Sequence, residues 1–325
     1  MSDFRGRSFD PRNKLITVAV ASYNNASYVE STLDSIYNQS YAPIELKIVD
    51  DASSDNSVTV INEWVKKREV EVKFTINEGN RGICYVCNLL IKQAAFYLVF
   101  IGSDDEMEVD RVERQLLYFE TLDKEYGLVY TDVSTIDEIG RPVSASWFKL
   151  SGFEPLEGDV FEPFLREKFR FPAPSIIYRS EVFRTVGEYD ERLKTEDIDM
   201  HLRILRHYKA AYCPMVSVRY RVLSQSLSRN VGPRLFQDRI TIYRKFLGFS
   251  ESVDTYVKKK IVGWAQRSYY ADYAECKALL FQSIRVRFSI KSFLLLLLAW
   301  CRVRPIHLVK WIGLKNKMKS TLSLP

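Results

Sequence analysis

The chain has 325 residues, of which 46% are hydrophobic and 27% charged, an ordinary globular composition. This length exceeds what one hydrophobic core usually needs, so we expect a main domain and an appendage. The net charge is +6, from 47 basic and 41 acidic side chains. Residues 276–325 hold ten of the basic and none of the acidic ones, which predicts an anionic partner there, a membrane surface or a nucleic acid.

The N-terminus and the cysteines indicate in which cellular compartment we expect the protein. The first residues are polar and lack an apolar segment, so we expect no secretory signal. The five cysteines are scattered and odd in number, which excludes a disulfide framework and predicts reduced thiols in a cytoplasmic protein. Cys84 and Cys87 form a C-x-x-C pair inside an apolar helical pattern, so packing is favoured over zinc or redox chemistry.

Apolar runs alternate with helical patterns through the first hundred residues. The runs are continuous rather than alternating, which is typical of strands buried on both faces. Apolar residues then recur at helical spacing after each of the first three runs. The order βαβαβαβ predicts an α/β fold with a parallel sheet covered by helices. The predicted strands are 15–21, 44–49, 70–76 and 97–101, and the helical patterns cover 29–37, 57–65 and 83–94.

Beyond residue 110 the pattern is less regular. We predict a helix over 112–122, a strand over 127–131, and a strand-helix unit over 175–186. A short helix over 197–207 and a strand over 211–221 follow. Helical patterns alone continue beyond about residue 234.

Polar clusters follow three of the predicted strands, at 22–24, 50–51 and 104–105. In open parallel sheets, ligands bind beyond the carboxyl ends of the strands. The chain has neither G-x-x-x-x-G-K nor G-x-G-x-x-G, so a P-loop and a standard dinucleotide fold are not supported. Adjacent carboxylates could instead hold a divalent cation that bridges a diphosphate. A single Asp-Asp pair more often only caps a helix, but two pairs at successive strand ends favour the cation site.

Five motifs, spread over roughly residues 15–230, resemble family-two inverting glycosyltransferases of the GT-A fold, the bacterial surface-polysaccharide type. Each motif alone is weak, and their order and spacing together carry the resemblance. They are VASYN at 20–24, VDDASSD at 49–55, NEGNRG at 77–82, SDD at 103–105 and KTED at 194–197.

The resemblance implies a role for each matching residue. Asp105 is the expected ligand of Mn²⁺ or Mg²⁺, and Asp197 is the expected catalytic base, which removes a proton from the acceptor hydroxyl. Glu196, Asp199 and His201 are candidate acceptor contacts, although structural roles remain open for all three. The implied nucleotide-sugar contacts are Ala21, Ser22, Tyr23, Asp51, Arg81 and Asp104.

Two departures from the family pattern and two competing functions bear on this interpretation. No Q-x-x-R-W motif follows KTED, which argues for the addition of one or few sugars, and residues 220–226 lack a histidine that could assist the metal. A sugar-1-phosphate nucleotidyltransferase would need a glycine-rich basic loop after the first strand, and residues 22–27 contain neither glycine nor a basic residue. A catalytically inactive nucleotide-sugar-binding or membrane-adaptor protein would not need Asp105 and Asp197.

The C-terminal region contains an apolar run over 293–300 that is too short for a bilayer, which takes about 20 apolar residues. Basic residues flank it, among them Lys291 and Lys310, and Trp300 and Trp311 accompany it. This pattern favours a helix that lies in the interface of an anionic membrane. A buried core helix is the alternative, and nucleic acid is not expected because the apolar run would have no role there.

We therefore predict an α/β protein of the GT-A type, with a Rossmann-like, mostly parallel central sheet covered by helices. Residues 1–110 are expected to form the nucleotide-sugar-binding half, 111–234 the acceptor-binding half, and 235–325 a helical, basic, membrane-associating appendage. The expected donor is a nucleotide-diphosphate sugar, with UDP favoured, that gives up a hexosyl or N-acetylhexosaminyl group. The expected acceptor is a saccharide carried on polyprenyl diphosphate at the inner face of the cell membrane.

Overall fold

The computed structural model describes residues 3–6, 13–92, 94–195, 197–223 and 232–305. These residues divide into two compact units, Met1–Ser226 and Leu227–Pro325.

The first unit is built on a sheet of nine strands. Its strands are β1 (Ile16–Ser22), β2 (Ile44–Asp50), β3 (Lys73–Ile76), β4 (Tyr97–Gly102), β5 (Glu106–Met107), β6 (Tyr126–Ile136), β7 (Pro142–Ser144), β8 (Ile177–Arg179) and β9 (Lys209–Arg221). Its helices are α1 (Val29–Tyr37), α2 (Ser57–Arg68), α3 (Ile83–Ile91), α4 (Arg111–Glu120), α5 (Trp147–Ser151), α6 (Phe161–Leu165), α7 (Val182–Val186) and α8 (Asp197–Leu205).

The sheet has the strand order β3-β2-β1-β4-β8-β6-β9-β5, and β7 pairs with β6. β1 to β4 are parallel, as predicted. The rest of the sheet is mixed, because β8 runs antiparallel to both β4 and β6 while β9 is parallel to β6. The prediction of a mostly parallel sheet is therefore confirmed for the first half of the unit and is wrong for the second.

Two predicted strands differ in length from those of the structure. β3 begins at Lys73 rather than at residue 70, because the Glu71 N–H is donated to the Phe4 carbonyl and not to β2. β6 continues to Ile136, well beyond the predicted residue 131, because β9 pairs with it as far as Arg221. The extension contains polar residues, so the pattern of apolar residues did not predict it.

The core of this unit lies against the two faces of β1 and β4. Ile16, Val18 and Val20 of β1 are fully buried. α1 packs with Val29, Leu33 and Ile36 inward, the helical spacing that the sequence predicts. Each such side chain contributes about 1.5–3 kcal/mol to folding. Cys84 and Cys87 are buried within α3, in agreement with a packing role.

Within its described residues, 232–305, the second unit contains the predicted helical structure as α9 (Leu235–Arg244), α10 (Glu251–Tyr270), α11 (Cys276–Val286) and α12 (Ile290–Trp300). α10 buries Val253, Val257 and Ile261, which recur every four residues and form one face. Ser250 caps the start of α10 by accepting the Val253 N–H at 3.2 Å. Among the described residues, no helix combines the length and the apolar character needed to cross a bilayer.

Candidate active site

The three predicted polar clusters lie side by side at one edge of the sheet. Ser22 pairs with Asp50 across β1 and β2, and Ala21 pairs with Gly102 across β1 and β4. Because these strands are parallel, their carboxyl ends meet at the same edge. The structure therefore brings the predicted nucleotide and metal motifs together.

Hydrogen bonds join the loops that follow β1 and β2. The Ser22 hydroxyl donates to Asp50 Oδ2 at 2.9 Å, and Asp50 also accepts the Ser53 N–H at 2.8 Å. Asn24 Oδ1 accepts the Ser54 N–H at 2.7 Å. Ser22 and Asp50 are buried, so their side chains hold the loops in place. The Ser22 side chain thus has a structural role, and a contact between Ser22 and the nucleotide stays a prediction.

Tyr23 and Ala21 remain accessible at this edge. Tyr23 is 43% exposed, directly after the end of β1. Ala21 is half-buried, and its carbonyl accepts the Ser103 N–H at 3.1 Å, which ties the end of β1 to the metal motif. An exposed aromatic ring at this position can stack on a base.

The Asp51 carboxylate organises the loop over 77–82. It accepts hydrogen bonds from Asn77 Nδ2 at 2.7 Å, from the Arg81 N–H at 2.9 Å and from the Gly82 N–H at 2.8 Å. Gly82 immediately precedes α3 and has a φ of 87°, a conformation that favours glycine. Three of about four acceptor positions on this buried carboxylate are thus occupied, so Asp51 holds the loop in place. The exposed Arg81 guanidinium lies over the Tyr85 ring, 4.4 Å from its centre.

The two carboxyls of the metal motif have different surroundings. Asp105 is buried, and its Oδ1 accepts the Arg221 N–H at 2.8 Å. Asp104 is half-buried, and its carbonyl accepts a hydrogen bond from Arg221 Nε at 2.9 Å. A Cβ added at Gly102 would lie 2.6 Å from Asp104 Oδ1, so only glycine leaves room for that carboxyl.

Burial and the charge of Asp104 raise the pKa of Asp105 well above its usual value. Burial also raises the pKa of Asp104. A divalent cation would relieve this concentration of negative charge. In the described part of the chain, no group of three His, Cys, Asp or Glu side chains is arranged to hold a metal by itself. A cation here would take further ligands from phosphate and water, as Mg²⁺ commonly does.

Arg221, the last residue of β9, supports the metal motif and was missed by the sequence reasoning. Besides its bonds to Asp104 and Asp105, it forms an ion pair with Glu106 at 2.7 Å and donates to the Asp137 carbonyl at 3.2 Å. The signal in the sequence that could have identified it is an arginine at the last position of the predicted strand over 211–221. Its burial is visible only in the structure.

The predicted base, Asp197, is the first described residue of α8. It is half-buried, and its Oδ1 accepts the Ile198 N–H at 2.7 Å. Its neighbour Glu196 lies outside the described residues.

For two candidate acceptor contacts, Asp199 and His201, burial favours the structural alternative. Asp199 is 1% exposed and forms an ion pair with Arg203 at 2.9 Å, which holds α8 in place. His201 is buried, bonds through Nε2 with the Tyr178 hydroxyl at 2.8 Å, and packs near Phe171. Burial lowers the pKa of His201 to about 4, so the ring is neutral at physiological pH. Neither side chain is open to a saccharide.

Comparisons with known proteins agree with this arrangement. TuaG of Bacillus subtilis (strain 168), a glycosyltransferase assigned to teichuronic acid biosynthesis, is 29% identical over 130 residues, 40% of this chain and 50% of that protein. The chain spans half or less of the length of several curated relatives that it matches.

Two solved structures are similar in fold. S. aureus TarS 1–349 in complex with UDP-GlcNAc superimposes with a TM-score of 0.65 at 16% identity, covering 91% of this chain and 89% of that one. The mannosyltransferase PcManGT from Pyrobaculum calidifontis, in complex with GDP-Man and Mn²⁺, gives 0.55 at 17% identity, covering 90% and 81%. At these identities the likeness shows a shared fold, the Rossmann-like GT-A architecture that the motifs predict.

The family model described as "Glycosyl transferase family 2" matches residues 17–183, slightly more than half of the chain. This range contains β1, β2 and β4 with their polar strand ends. The chain therefore belongs to glycosyl transferase family 2.

Proposed function

We propose that this chain transfers a sugar from a nucleotide-diphosphate sugar to a hydroxyl of a saccharide acceptor, with inversion at the anomeric carbon. The observation that carries the proposal is the strand-end edge, where Asp51, Tyr23 and the Asp104–Asp105 pair come together. The complexes of TarS with UDP-GlcNAc and of PcManGT with GDP-Man and Mn²⁺ support a nucleotide-sugar donor and a metal ion in general. UDP remains the favoured nucleotide.

The donor would lie along this edge. Tyr23 would stack on the base, and the remaining acceptor position of the Asp51 carboxylate would receive a hydrogen bond from the base or the ribose. The exposed Arg81 guanidinium is available to the diphosphate, which it would meet as a charge-assisted donor.

Asp104 and Asp105 would hold the divalent cation, which acts as a Lewis acid on the leaving diphosphate. We assign the direct contact to Asp104 rather than to Asp105. Asp104 is the less buried of the two, whereas Asp105 already accepts the Arg221 N–H. Asp105 would then supply charge and fix the loop.

Asp197 would accept the proton of the attacking acceptor hydroxyl, which is a poor nucleophile until that proton is removed. Attack from the face opposite the diphosphate inverts the anomeric centre. The buried Asp199 and His201 support α8 behind Asp197 without touching the sugar.

For the acceptor, we propose a polyprenyl-diphosphate-linked saccharide, in polysaccharide biosynthesis at a membrane surface. Support comes from the α12 surface, which we define as the exposed apolar residues Phe288, Ile290, Phe293, Leu294, Leu297 and Trp300. Arg285, Arg287, Lys291, Arg302 and Arg304 accompany it. Lys310 and Trp311 lie outside the described residues. Apolar groups beside cations suit an anionic bilayer interface.

The metal requirement is the direct test. Purified full-length chain should release nucleoside diphosphate from a nucleotide sugar, lose this activity in EDTA, and regain it with Mn²⁺ or Mg²⁺. Gly102→Ala should reduce turnover at least about tenfold, because its methyl group would displace the Asp104 carboxyl that holds the metal. The quantity measured is nucleoside diphosphate released per minute at saturating metal.

Gly263→Ala is the matched control, since a Cβ there meets nothing within 4 Å and lies inside α10. It should keep full activity and gain about 0.5–1 kcal/mol of stability. Full activity in EDTA would remove the metal from the proposed mechanism. If the chain releases nucleoside diphosphate from none of the nucleotide sugars tested, a protein that only binds nucleotide sugars is favoured instead.

A further inference from the structure

A cleft lies at the opposite edge of the sheet from Asp104. Its volume is about 550 Å³, within the range of about 300–1,000 Å³ that small-molecule sites occupy. Residues at the starts of β1 and β4, among them Leu15 and Phe96, line it together with Ser180 beside α7. β1 has seven residues, so at about 3.3 Å per residue the cleft lies roughly 20 Å from the strand-end site.

The charge of the cleft is positive. Its charged lining residues are Lys14, Lys124, Arg179, Arg184 and Glu181. Lys14 is paired with Glu120 at 2.7 Å, and Arg179 donates its N–H groups to Tyr97 and to the backbone. Lys124 and Arg184 are exposed, and neither has an ion-pair partner among the described residues. These two side chains are therefore available to an anionic ligand.

Two uncharged groups of the cleft indicate what else the ligand carries. Phe96 is 70% exposed, the position of a ring that could pack against the C–H face of a sugar. The Ser180 hydroxyl has no hydrogen-bond partner in the part of the chain that the structure describes, and it is shielded from solvent. Buried hydroxyls are normally bonded, and rotation of this side chain about χ1 would turn the hydroxyl toward the cleft that the residue lines.

We propose that this cleft binds an anionic saccharide, a stretch of sugars bearing carboxylate or phosphate groups. Phe96 supports a sugar ring, Lys124 and Arg184 meet its charged groups, and the Ser180 hydroxyl bonds a sugar hydroxyl once its side chain has rotated toward the cleft. That this saccharide is the acceptor or the product of the reaction rests on the proposed function. The site would hold a growing chain at a distance from the reacting end, so it would raise affinity for longer acceptors without taking part in the chemistry.

The test is a titration of the full-length chain, without donor or metal, by isothermal titration calorimetry at low salt. The probes are an acidic hexasaccharide of alternating uronic acid and N-acetylhexosamine, and a neutral glucose hexasaccharide. We expect the acidic probe to bind more tightly and to lose affinity as salt is added. Phe96→Ala and the double variant Lys124→Glu/Arg184→Glu should each weaken it about tenfold or more.

Leu117→Ala and Lys66→Glu, which alter exposed residues of α4 and α2, are the controls and should bind like the unmodified chain. The proposal is overturned if the acidic probe does not bind, if the cleft variants bind it equally well, or if the neutral probe binds as tightly. Complete displacement by inorganic phosphate or UDP at equal concentration would also overturn it. Metal-dependent release of UDP should be unchanged in every cleft variant. If the unmodified chain itself does not release UDP, the proposed function is refuted, whereas the proposal that the cleft binds an anionic saccharide is still decided by the titration.

Discussion

At the scale of single residues, adjacent carboxyls of the same type acquire different roles from their surroundings. Asp50 accepts hydrogen bonds from Ser22 and Ser53 and so joins the loops after β1 and β2, whereas Asp51 accepts them from Asn77 and from backbone N–H groups of the 77–82 loop. Asp104 and Asp105 differ in the same way, because the Arg221 N–H bonds only to Asp105. The sequence identifies such pairs, but the backbone groups that neutralise one member become neighbours only in the folded chain.

The same limit applies to Asp199 and His201 of α8. Helical spacing correctly predicted that His201 lies one turn after Asp197. It could not reveal that Tyr178, far away in the chain, would receive the ring, or that Arg203 would pair with Asp199. Exposure of a polar side chain depends on what packs over it, and a single sequence does not contain that information.

Asp197→Asn separates binding from chemistry. The amide keeps the shape of the carboxyl but cannot accept the proton of the acceptor hydroxyl, so only the transition state loses an interaction. Turnover should fall about a hundredfold or more. The affinity for free nucleoside diphosphate, measured by calorimetry, should stay within about threefold.

Glu188→Gln, a change at an exposed carboxyl before α8, is the control and should keep near-normal turnover. Asp199→Asn should instead lower the midpoint of thermal unfolding, since it weakens a buried ion pair. Near-full turnover of Asp197→Asn would show that another group is the base.

At the scale of elements, the pattern of apolar residues predicted the helices and strands better than the strand directions. Continuous apolar runs with intervening helices led correctly to parallel β1, β2 and β4. β8 has only three residues and follows two helices of five residues each, α5 and α6. Two adjacent parallel strands usually need a long connection that contains a helix. The elements before β8 are short, which indicates that this part of the sheet is mixed.

α3 joins the nucleotide loop to the segment that leads into α8. Its first turn follows the loop held by Asp51. Further along the helix, the buried Asn88 side chain donates to the Tyr189 carbonyl at 3.0 Å and accepts the Tyr189 N–H at 2.7 Å. Asn88 also donates to Glu191 at 3.0 Å. One side chain thus positions the backbone that precedes Asp197.

Asn88→Ala should therefore lower turnover about tenfold while the KM for the donor changes little, because a small shift of Asp197 affects the reaction more than donor binding. Leaving the Tyr189 backbone unpaired should also cost about 1–3 kcal/mol of stability. Steady-state kinetics well below the unfolding transition measure the first effect, and denaturant unfolding measures the second.

Asn62→Ala, an exposed change on α2, is the control and should affect neither quantity. If Asn88→Ala destabilises the fold but leaves turnover normal in the folded protein, then Asn88 only packs the core and does not position Asp197.

At the scale of the whole molecule, charge and apolar exposure are concentrated at one end of the chain. Outside residues 276–325 the chain carries 37 basic and 41 acidic residues and is close to neutral. Within the second unit, one side of α12 is buried through Leu295 and Ala299, while Trp300 on the α12 surface is 71% exposed. The sequence predicted the apolar run and its basic flanks, but it could not show how much of that run would remain uncovered.

Phe288→Ser/Trp300→Ser should reduce binding of the full-length chain to anionic vesicles, because it removes two large apolar groups from the α12 surface. Burial of an aromatic side chain contributes about 1.5–3 kcal/mol, so the apparent affinity should fall roughly tenfold or more. The measurement is sedimentation with vesicles of phosphatidylglycerol and phosphatidylcholine at low salt. Raising the salt should weaken binding by both proteins, since the basic side chains are unchanged.

Ile139→Ser is the control, which tests whether the loss of any exposed apolar residue reduces binding to vesicles. Ile139 is 73% exposed but belongs to the first unit, so its replacement should leave vesicle binding unchanged. Activity on a soluble acceptor should survive in both variants, because none of the replaced residues is assigned to donor binding or to the chemistry. If the Phe288/Trp300 variant sediments with vesicles like the unmodified chain, the α12 surface does not contact the bilayer, and its exposed apolar groups must be covered by another partner.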